Sequence, residues 1–117
     1  MQYKIKFNEY LVKENFTEIY VTRRDKTKYT ILISNNKLDR LLNFGHKWHV
    51  HWHPNIHGFY AHSMIYSKDG SKDITMHAFL FDKEEGQVID HINNDGLDNR
   101  DENIRPCLEN KNLQNRK

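Results

Sequence analysis

Apolar and polar residues alternate over the first part of the chain. In residues 18–24, Ile19 and Val21 are separated by polar side chains, and a second apolar run occupies residues 29–34. Alternation with a period of two is typical of a strand that buries one face. The turn between the two runs contains Lys26 and Lys28. The pattern therefore predicts a β-hairpin with a positively charged tip.

The spacing of apolar residues becomes helical after the hairpin. Three leucines fall on one side of a helix drawn over this segment: Leu38, Leu41 and Leu42. Gly45 follows, and glycine commonly ends helices because it adopts the left-handed conformation at no steric cost. We predict one short helix of about two or three turns, with Asn35 or Asn36 as the residue that caps its N-terminus.

A second sheet is predicted from the next segment. Histidines alternate with apolar residues along one strand: Trp48, His49, Val50, His51, Trp52 and His53. Turn-forming residues then separate two further apolar runs, at residues 59–67 and 74–81. The pattern predicts a three-stranded antiparallel meander with an apolar face and an imidazole face. Four aromatic residues are expected in its core: Trp48, Trp52, Phe59 and Tyr60.

The histidine-rich strand raises the question of metal binding. Alternate residues on a strand lie about 7 Å apart, whereas Zn–N bonds are about 2 Å long. Histidines at alternate positions of one strand are thus too far apart, and only adjacent pairs or a cross-strand partner such as His62 could chelate an ion. The simpler interpretations are an exposed polar face or a face that lies against nucleic acid. A histidine-rich metal carrier is the least favoured function.

Composition indicates a folded protein and says little about its partner. The 117 residues are 37% hydrophobic and 12% aromatic, with a mean hydropathy of −0.93. We expect one compact domain over residues 1–117. A net charge of +2 neither requires nor excludes a polyanion. The single cysteine, Cys107, cannot form an internal disulfide, and the N-terminus lacks the apolar run of a signal peptide or membrane span, which favours a cytoplasmic protein.

The chemically promising residues lie in the last third of the chain. A short apolar strand ends at Asp90 and His91, and a turn-rich loop follows. A second short strand begins near Asn103, twelve residues after His91, and a helix is predicted from about Leu108. This order of strand, loop, strand and helix forms a small module of about thirty residues.

The module resembles the HNH endonucleases, also called His-Me finger or ββα-metal nucleases, and in particular their phage and homing-type branch. The residues that carry the resemblance are Asp90, His91, Ile92, Asn93, the run 97–100, the run 103–105, Asn112 and Asn115. Looser similarity extends upstream to residue 18. The resemblance implies an α+β fold in which an N-terminal antiparallel β-sheet with one short helix contacts DNA (1–85) and a ββα-metal module follows (86–117). It also suggests a bacterial or phage-infected cell.

The resemblance implies a role for four residues. His91 is the general base, and an unperturbed imidazole pKa of about 6.5 suits that role at neutral pH. Asp90 and Asn112 bind one divalent ion, which is Mg²⁺ or alternatively Mn²⁺, because hard ions prefer oxygen ligands. Asn103 ties the loop together. Neighbours on a regular strand point to opposite faces, so we expect the strand to end or distort at Asp90 and His91.

Double-stranded DNA is the partner that the resemblance implies. Six basic residues are candidates for contact with it: Arg23, Arg24, Lys26 and Lys28 at the hairpin tip, and Arg100 and Arg105 near the loop. The last two are most simply ion-pair partners of nearby carboxylates. One site per chain predicts that one strand is nicked at each site, and a dimer would allow two cuts. The alternative function is a DNA-binding regulator with a vestigial HNH motif.

Overall fold

The structure is a computed structural model that describes residues 7–108. Its architecture is α+β with more strand than helix, in agreement with the predicted class. The strands are β1 (Tyr10–Val12), β2 (Thr17–Thr22), β3 (Lys28–Ile33), β4 (His49–His53), β5 (Gly58–Ser67), β6 (Gly70–Thr75), β7 (Gln87–His91), β8 (Asp98–Asn99) and β9 (Ile104–Leu108). The α-helices are α1 (Leu38–Phe44) and α2 (Met76–Leu80), and 3-10 turns cover Asn35–Lys37, Pro54–Ile56 and Asp101–Asn103.

The predicted hairpin forms the centre of the first sheet, whose order is β1-β2-β3-β8. Strands β2 and β3 are antiparallel, with Ile19 opposite Ile31, and both side chains are fully buried. Strand β8 then pairs with β3 in parallel, which places Asp98 beside Leu32. The loop of the C-terminal module therefore completes a sheet that begins in the N-terminal half, a pairing that the sequence did not predict.

The three-stranded meander is confirmed as the sheet β4-β5-β6, but the limits predicted for its third strand were wrong. That strand is Gly70–Thr75, and the apolar residues after it form α2 (Met76–Leu80). The backbone N–H of Ala78 donates to the Thr75 hydroxyl at 3.4 Å, an N-terminal cap that starts a helix where the apolar run alone suggests a strand. The helix buries Met76 and Leu80, four residues apart.

The two faces of β4 also differ, as predicted, although one aromatic residue was misassigned. Val50 is buried while His49 and His51 are exposed, and the register sets His49 opposite His62. Trp52 is 52% exposed, so its predicted place in the core was wrong. It lies one residue before the end of β4. Trp48, Phe59 and Tyr60 are buried or half-buried.

The predicted short helix is α1, which ends at Gly45 with φ of 78°. Glycine has no Cβ and adopts this left-handed conformation at little cost, which explains the helix stop. The predicted asparagine cap was wrong, because a 3-10 turn precedes α1 and no side chain caps it. The Asn35 side chain instead accepts a hydrogen bond from the Thr17 hydroxyl and donates to the Lys13 carbonyl, which ties the turn to β2.

The core lies between the first two sheets and the helices. Its members are Ile19, Val21, Ile31, Ile33, Leu41, Trp48, Val50, Ala61, Met76 and Leu80. Full burial of one large aliphatic side chain stabilises a fold by about 1.5–3 kcal/mol, so this small set must supply most of the hydrophobic stabilisation. Among residues 7–108, no helix is long and apolar enough to cross a membrane.

Candidate active site around His91

Strands β7 and β9 form a separate two-stranded antiparallel sheet that presents the Asp90-His91 pair. Asp90 lies opposite Arg105, and His91 lies opposite Ile104. Strand β7 ends at His91, as predicted, and the N–H of Asn94 donates to the His91 carbonyl oxygen at 3.1 Å to form the following turn. Asn94 has a φ of 65°, a left-handed conformation that asparagine tolerates better than most residues. The chain therefore turns sharply away immediately after His91.

The Asn103 side chain closes the loop between the two strands. Its Oδ1 accepts from the Asn93 N–H at 2.9 Å, while its Nδ2 donates to Asn93 Oδ1 at 2.9 Å and to the Asp98 carbonyl at 2.8 Å. The Asn103 carbonyl also accepts from the Ile92 N–H at 2.8 Å. The prediction that Asn103 ties the loop together is confirmed, because its buried amide bonds to Asn93 near the start of the loop and to Asp98 further along it.

An ion pair between Asp98 and Arg100 fixes the second half of the loop. Asp98 is buried and accepts from Arg100 Nε and Nη2, each at 2.7 Å, in a bidentate arrangement. Burial alone would raise the pKa of Asp98, but the hydrogen bonds and charge of Arg100 outweigh it, with a further bond from Asn93, and hold the pKa below its usual value. Arg100 thus takes the simpler of its two predicted roles, as a partner of Asp98.

The His91 ring is held by an asparagine that the sequence analysis did not single out. His91 is only 4% exposed, and its Nε2 lies 2.7 Å from Asn99 Oδ1. An amide oxygen can only accept, so Nε2 carries the proton and a neutral His91 ring has its lone pair at Nδ1. Asn99 is fully buried on β8. The first sheet therefore determines the tautomer of His91.

Two more rings from outside the module enclose His91. The Tyr60 ring lies 5.5 Å from the His91 ring at an interplanar angle of 27°, and the His77 ring meets it edge-on at 4.8 Å and 77°. Burial lowers the pKa of His77 to about 3, assisted by the neighbouring imidazoles, so this ring stays neutral. His77 Nδ1 is buried without a hydrogen-bond partner among the described residues. Strand β5 and helix α2 thus shape the surroundings of His91.

Gly96 brings the loop into direct contact with β5. A Cβ atom at this position would collide with the Phe59 carbonyl oxygen and would lie 2.5 Å from a carbon of the Tyr60 ring. Glycine is needed here because of this close approach. Backbone conformation is not the reason, since the φ of Gly96 is not in the left-handed region. The loop consequently packs on Tyr60 while Tyr60 packs on His91.

Of the two predicted metal ligands, the structure describes only Asp90. Its side chain is 27% exposed, and Arg105 Nη2 approaches Asp90 Oδ2 at 3.4 Å. An accessible carboxylate beside His91 has the oxygen chemistry that a hard divalent ion requires. Arg105 is 61% exposed, and its guanidinium faces the Asp90 carboxylate. Asn112, and the helix predicted from about Leu108, lie outside the described residues, while Leu108 itself belongs to β9.

The basic residues at the hairpin tip are all exposed: Arg23, Arg24, Lys26 and Lys28. The guanidinium of Arg23 lies 5.5 Å from the Phe59 ring centroid, and Phe59 in turn contacts the loop at Gly96. Strand β8 pairs with the other end of β3, which puts the tip about 15 Å along the strand from β8. The tip is therefore close to the His91 loop without being part of it.

The residues that the sequence analysis missed all lie around His91: Tyr60, His77 and Asn99. Asn99 belongs to a run that resembles the nuclease motif, so its place in that run was the available signal. Tyr60 was expected in the core, and His77 was interpreted as a core or sheet histidine in preference to a group that touches DNA or the active site. Both lie in upstream stretches whose similarity to the nuclease branch is looser. Their contacts with His91 depend on how β5 and α2 pack against the module.

Comparison with protein-family models, with curated proteins and with solved structures finds no match for this chain. Within residues 7–108, no group of three or more His, Cys, Asp or Glu side chains is arranged to hold a metal ion.

Proposed function

We propose that this chain is a metal-dependent DNA endonuclease of the HNH type, which hydrolyses phosphodiester bonds and nicks one strand per active site. The observation that carries the proposal is the buried Asn103 amide, which closes the loop that follows His91 between two strands. In identity and spacing, these residues belong to the set on which the resemblance to the HNH endonucleases rests. Residues 86–117 would form the ββα-metal module, with the helix contributed by residues beyond Leu108.

His91 is the proposed general base. Hydrolysis requires an attacking water to lose a proton as it approaches phosphorus, and a neutral imidazole can accept that proton. The bond from His91 Nε2 to Asn99 supports this role, because it leaves Nδ1 as the site that accepts the proton. The bond also orients the ring before substrate binds, which avoids reorganisation during the reaction. Since the ring is almost fully buried, the attacking water enters together with the substrate.

Asp90 and Asn112 are the proposed ligands of one Mg²⁺ or Mn²⁺ ion. The supporting observation is chemical: Asp90 offers an accessible carboxylate at the strand end beside the base. When bound, such an ion neutralises the charge that develops on the phosphate and leaving oxygens. Arg105 lies against the same carboxylate, so it either remains there or turns to the DNA phosphate.

Double-stranded DNA is the proposed substrate. The exposed basic tip at Arg23, Arg24, Lys26 and Lys28 supplies phosphate contacts next to the loop. Arg100 is a weaker candidate, because its Nε and Nη2 both donate to Asp98. It contributes to activity by holding the loop that carries Asn99.

Nicking of supercoiled plasmid, with Mg²⁺ or with chelator, tests the proposal. The wild-type chain should produce open circles only with the divalent ion, and His91→Ala should slow nicking by about a hundredfold or more, the usual range for loss of a general base. His49→Ala is the matched control, since it makes the same change at an exposed histidine of β4. His91→Gln, which retains a polar group for Asn99, guards against loss of folding.

Two results would contradict the proposal in different ways. Full nicking activity in both His91 variants would remove His91 from the reaction. A wild-type chain that slows the migration of plasmid but produces no open circles would instead support the alternative, a DNA-binding regulator with a vestigial motif. The burial of the His91 side chain is the observation that favours this alternative.

A further inference from the structure

The imidazole face of the meander contains a chain of three polar groups that the nuclease proposal does not use. Asp73 Oδ2 lies 2.7 Å from His62 Nδ1, and His62 Nε2 lies 2.8 Å from His53 Nε2. The three residues come from β6, β5 and β4 respectively. Antiparallel pairing of these strands therefore brings together residues that are far apart in the sequence.

The two imidazoles meet nitrogen to nitrogen. Their ring centroids are 5.0 Å apart with an interplanar angle of 8°, while their Nε2 atoms are only 2.8 Å apart. Such numbers require the rings to be nearly coplanar, with the two nitrogens pointing towards one another. A third ring, that of His51, lies 4.7 Å from His62 at 15°. Three imidazole rings thus lie next to one another on this face.

The carboxylate of Asp73 prepares His62 to act as a ligand. A carboxylate oxygen accepts, so Nδ1 of His62 carries the proton and the lone pair of the neutral ring is at Nε2. Histidines that bind metal ions commonly donate their second ring N–H to a carboxylate in this way.

We propose that His53 and His62 bind one transition-metal ion of the class that prefers imidazole, such as Zn²⁺, Ni²⁺ or Cu²⁺, through their Nε2 atoms. Asp73 orients His62, and water completes the coordination, so the site has two protein ligands. The site is separate from the proposed Mg²⁺ position, whose ligands are oxygen atoms. The inference does not depend on the chain being a nuclease.

Binding requires the ring of His53 to move relative to the ring of His62. Two nitrogens bound tetrahedrally to one Zn²⁺ are about 3.3 Å apart, as follows from Zn–N bonds of about 2.0–2.1 Å. Because the two Nε2 atoms now point at one another, His53 must turn its ring and move its Nε2 sideways by about 2 Å to share an ion with His62. It is half-buried at the last position of β4, and its ring packs on Tyr60 at 4.5 Å. His62, by contrast, is almost fully buried and serves as the fixed ligand.

Titration of the full-length chain with Zn²⁺, followed by calorimetry, tests the proposal. The wild type should bind one ion, and His53→Gln should weaken binding at least about tenfold because it removes one of two ligands. Asp73→Asn should weaken binding by about 10–100-fold, the usual effect of losing a group that orients a ligand. Both positions are at least partly exposed, so the two variants should fold.

Two histidine variants serve as controls. His57→Asn changes an exposed histidine of the same segment, and asparagine tolerates its left-handed φ of 49°. His91→Ala removes the proposed catalytic base. Both should bind Zn²⁺ as the wild type does. In a parallel thermal melt, Zn²⁺ should raise the Tm of the wild type and not that of His53→Gln, because an ion that binds only the folded state stabilises it.

Three results would overturn the inference. Absence of Zn²⁺ binding by the wild type, or equal affinity in His53→Gln, would mean that the two rings share a hydrogen bond only. Binding that is lost in His91→Ala and kept in His53→Gln would place the ion at the candidate active site. None of these measurements uses DNA, so they are independent of whether the chain cuts plasmid.

Discussion

Replacing Asn103 by alanine should destabilise the whole fold, although the residue lies in a short loop. The substitution removes three side-chain hydrogen bonds: two with Asn93 and one with the Asp98 carbonyl. Each bond of this type contributes about 0.5–1.5 kcal/mol net, and polar groups left buried without a partner add to the loss. Because Asn103 is buried, we expect the free energy of unfolding to fall by about 2–4 kcal/mol.

Urea denaturation followed by tryptophan fluorescence would measure this loss, since Trp48 is fully buried in the core. Small domains are stable by only about 5–15 kcal/mol, so the change should shift the midpoint clearly. Asn43→Ala is the matched control, because Asn43 is exposed on α1 and alanine favours a helix. Its stability should change by no more than about 0.5 kcal/mol.

A loss below about 1 kcal/mol for Asn103→Ala, in other words no more than one ordinary hydrogen bond, would refute the reasoning. It would mean that the loop is held mainly by β8 and by the pair of Asp98 and Arg100, with the Asn103 amide contributing little. A loss in the expected range with an unchanged denaturant slope would support loop closure as part of the cooperative fold.

Three further predictions concern the loop at Gly96, the buried His77 ring and the hairpin tip. Gly96→Ala should cost about 1–3 kcal/mol in urea denaturation because its Cβ would collide with Phe59 and Tyr60; a change within experimental error would show that the loop can move away. Burial lowers the pKa of His77 in the folded chain to about 3, against an ordinary value of 6.5, so the unfolded chain binds more protons between these values and stability should fall as pH drops below 6.5. His77→Phe should reduce that pH dependence, and an identical profile would contradict the assignment. If the hairpin tip binds DNA, Lys26→Ala should reduce the slope of log K against log salt by about one, whereas an unchanged slope would exclude a phosphate contact there.

Much of the fold follows from local sequence patterns. The alternation around Ile19 and Val21, the leucine spacing before Gly45 and the alternating histidines each identified an element that the structure contains. These signals are local, because a strand or an amphipathic helix must repeat its apolar residues with its own period. The pattern failed at residues 74–81, where the strand ends at Thr75 and the following apolar residues form a short helix that the Thr75 hydroxyl caps.

The candidate site was predictable only where its residues are close in sequence. The positions of Asp90 and His91 at the end of a strand, and the closure of the loop by Asn103, were expected from the motif. The surroundings of His91 were not, because Tyr60 comes from β5, His77 from α2 and Asn99 from a strand that joins the first sheet. A periodic pattern tells which face of an element is buried but not what it is buried against.

The sequence by itself determined the central hairpin, the short helix that ends before Gly45, the position of the Asp90-His91 pair and the division of β4 into an apolar and an imidazole face. Tertiary structure alone decided which groups contact His91, and it alone brought His53, His62 and Asp73 within hydrogen-bonding distance. The physical reason is that hydrogen bonds and ring contacts act over a few ångströms. Their partners are therefore chosen by strand register and by packing between sheets, which no local pattern of apolar residues encodes.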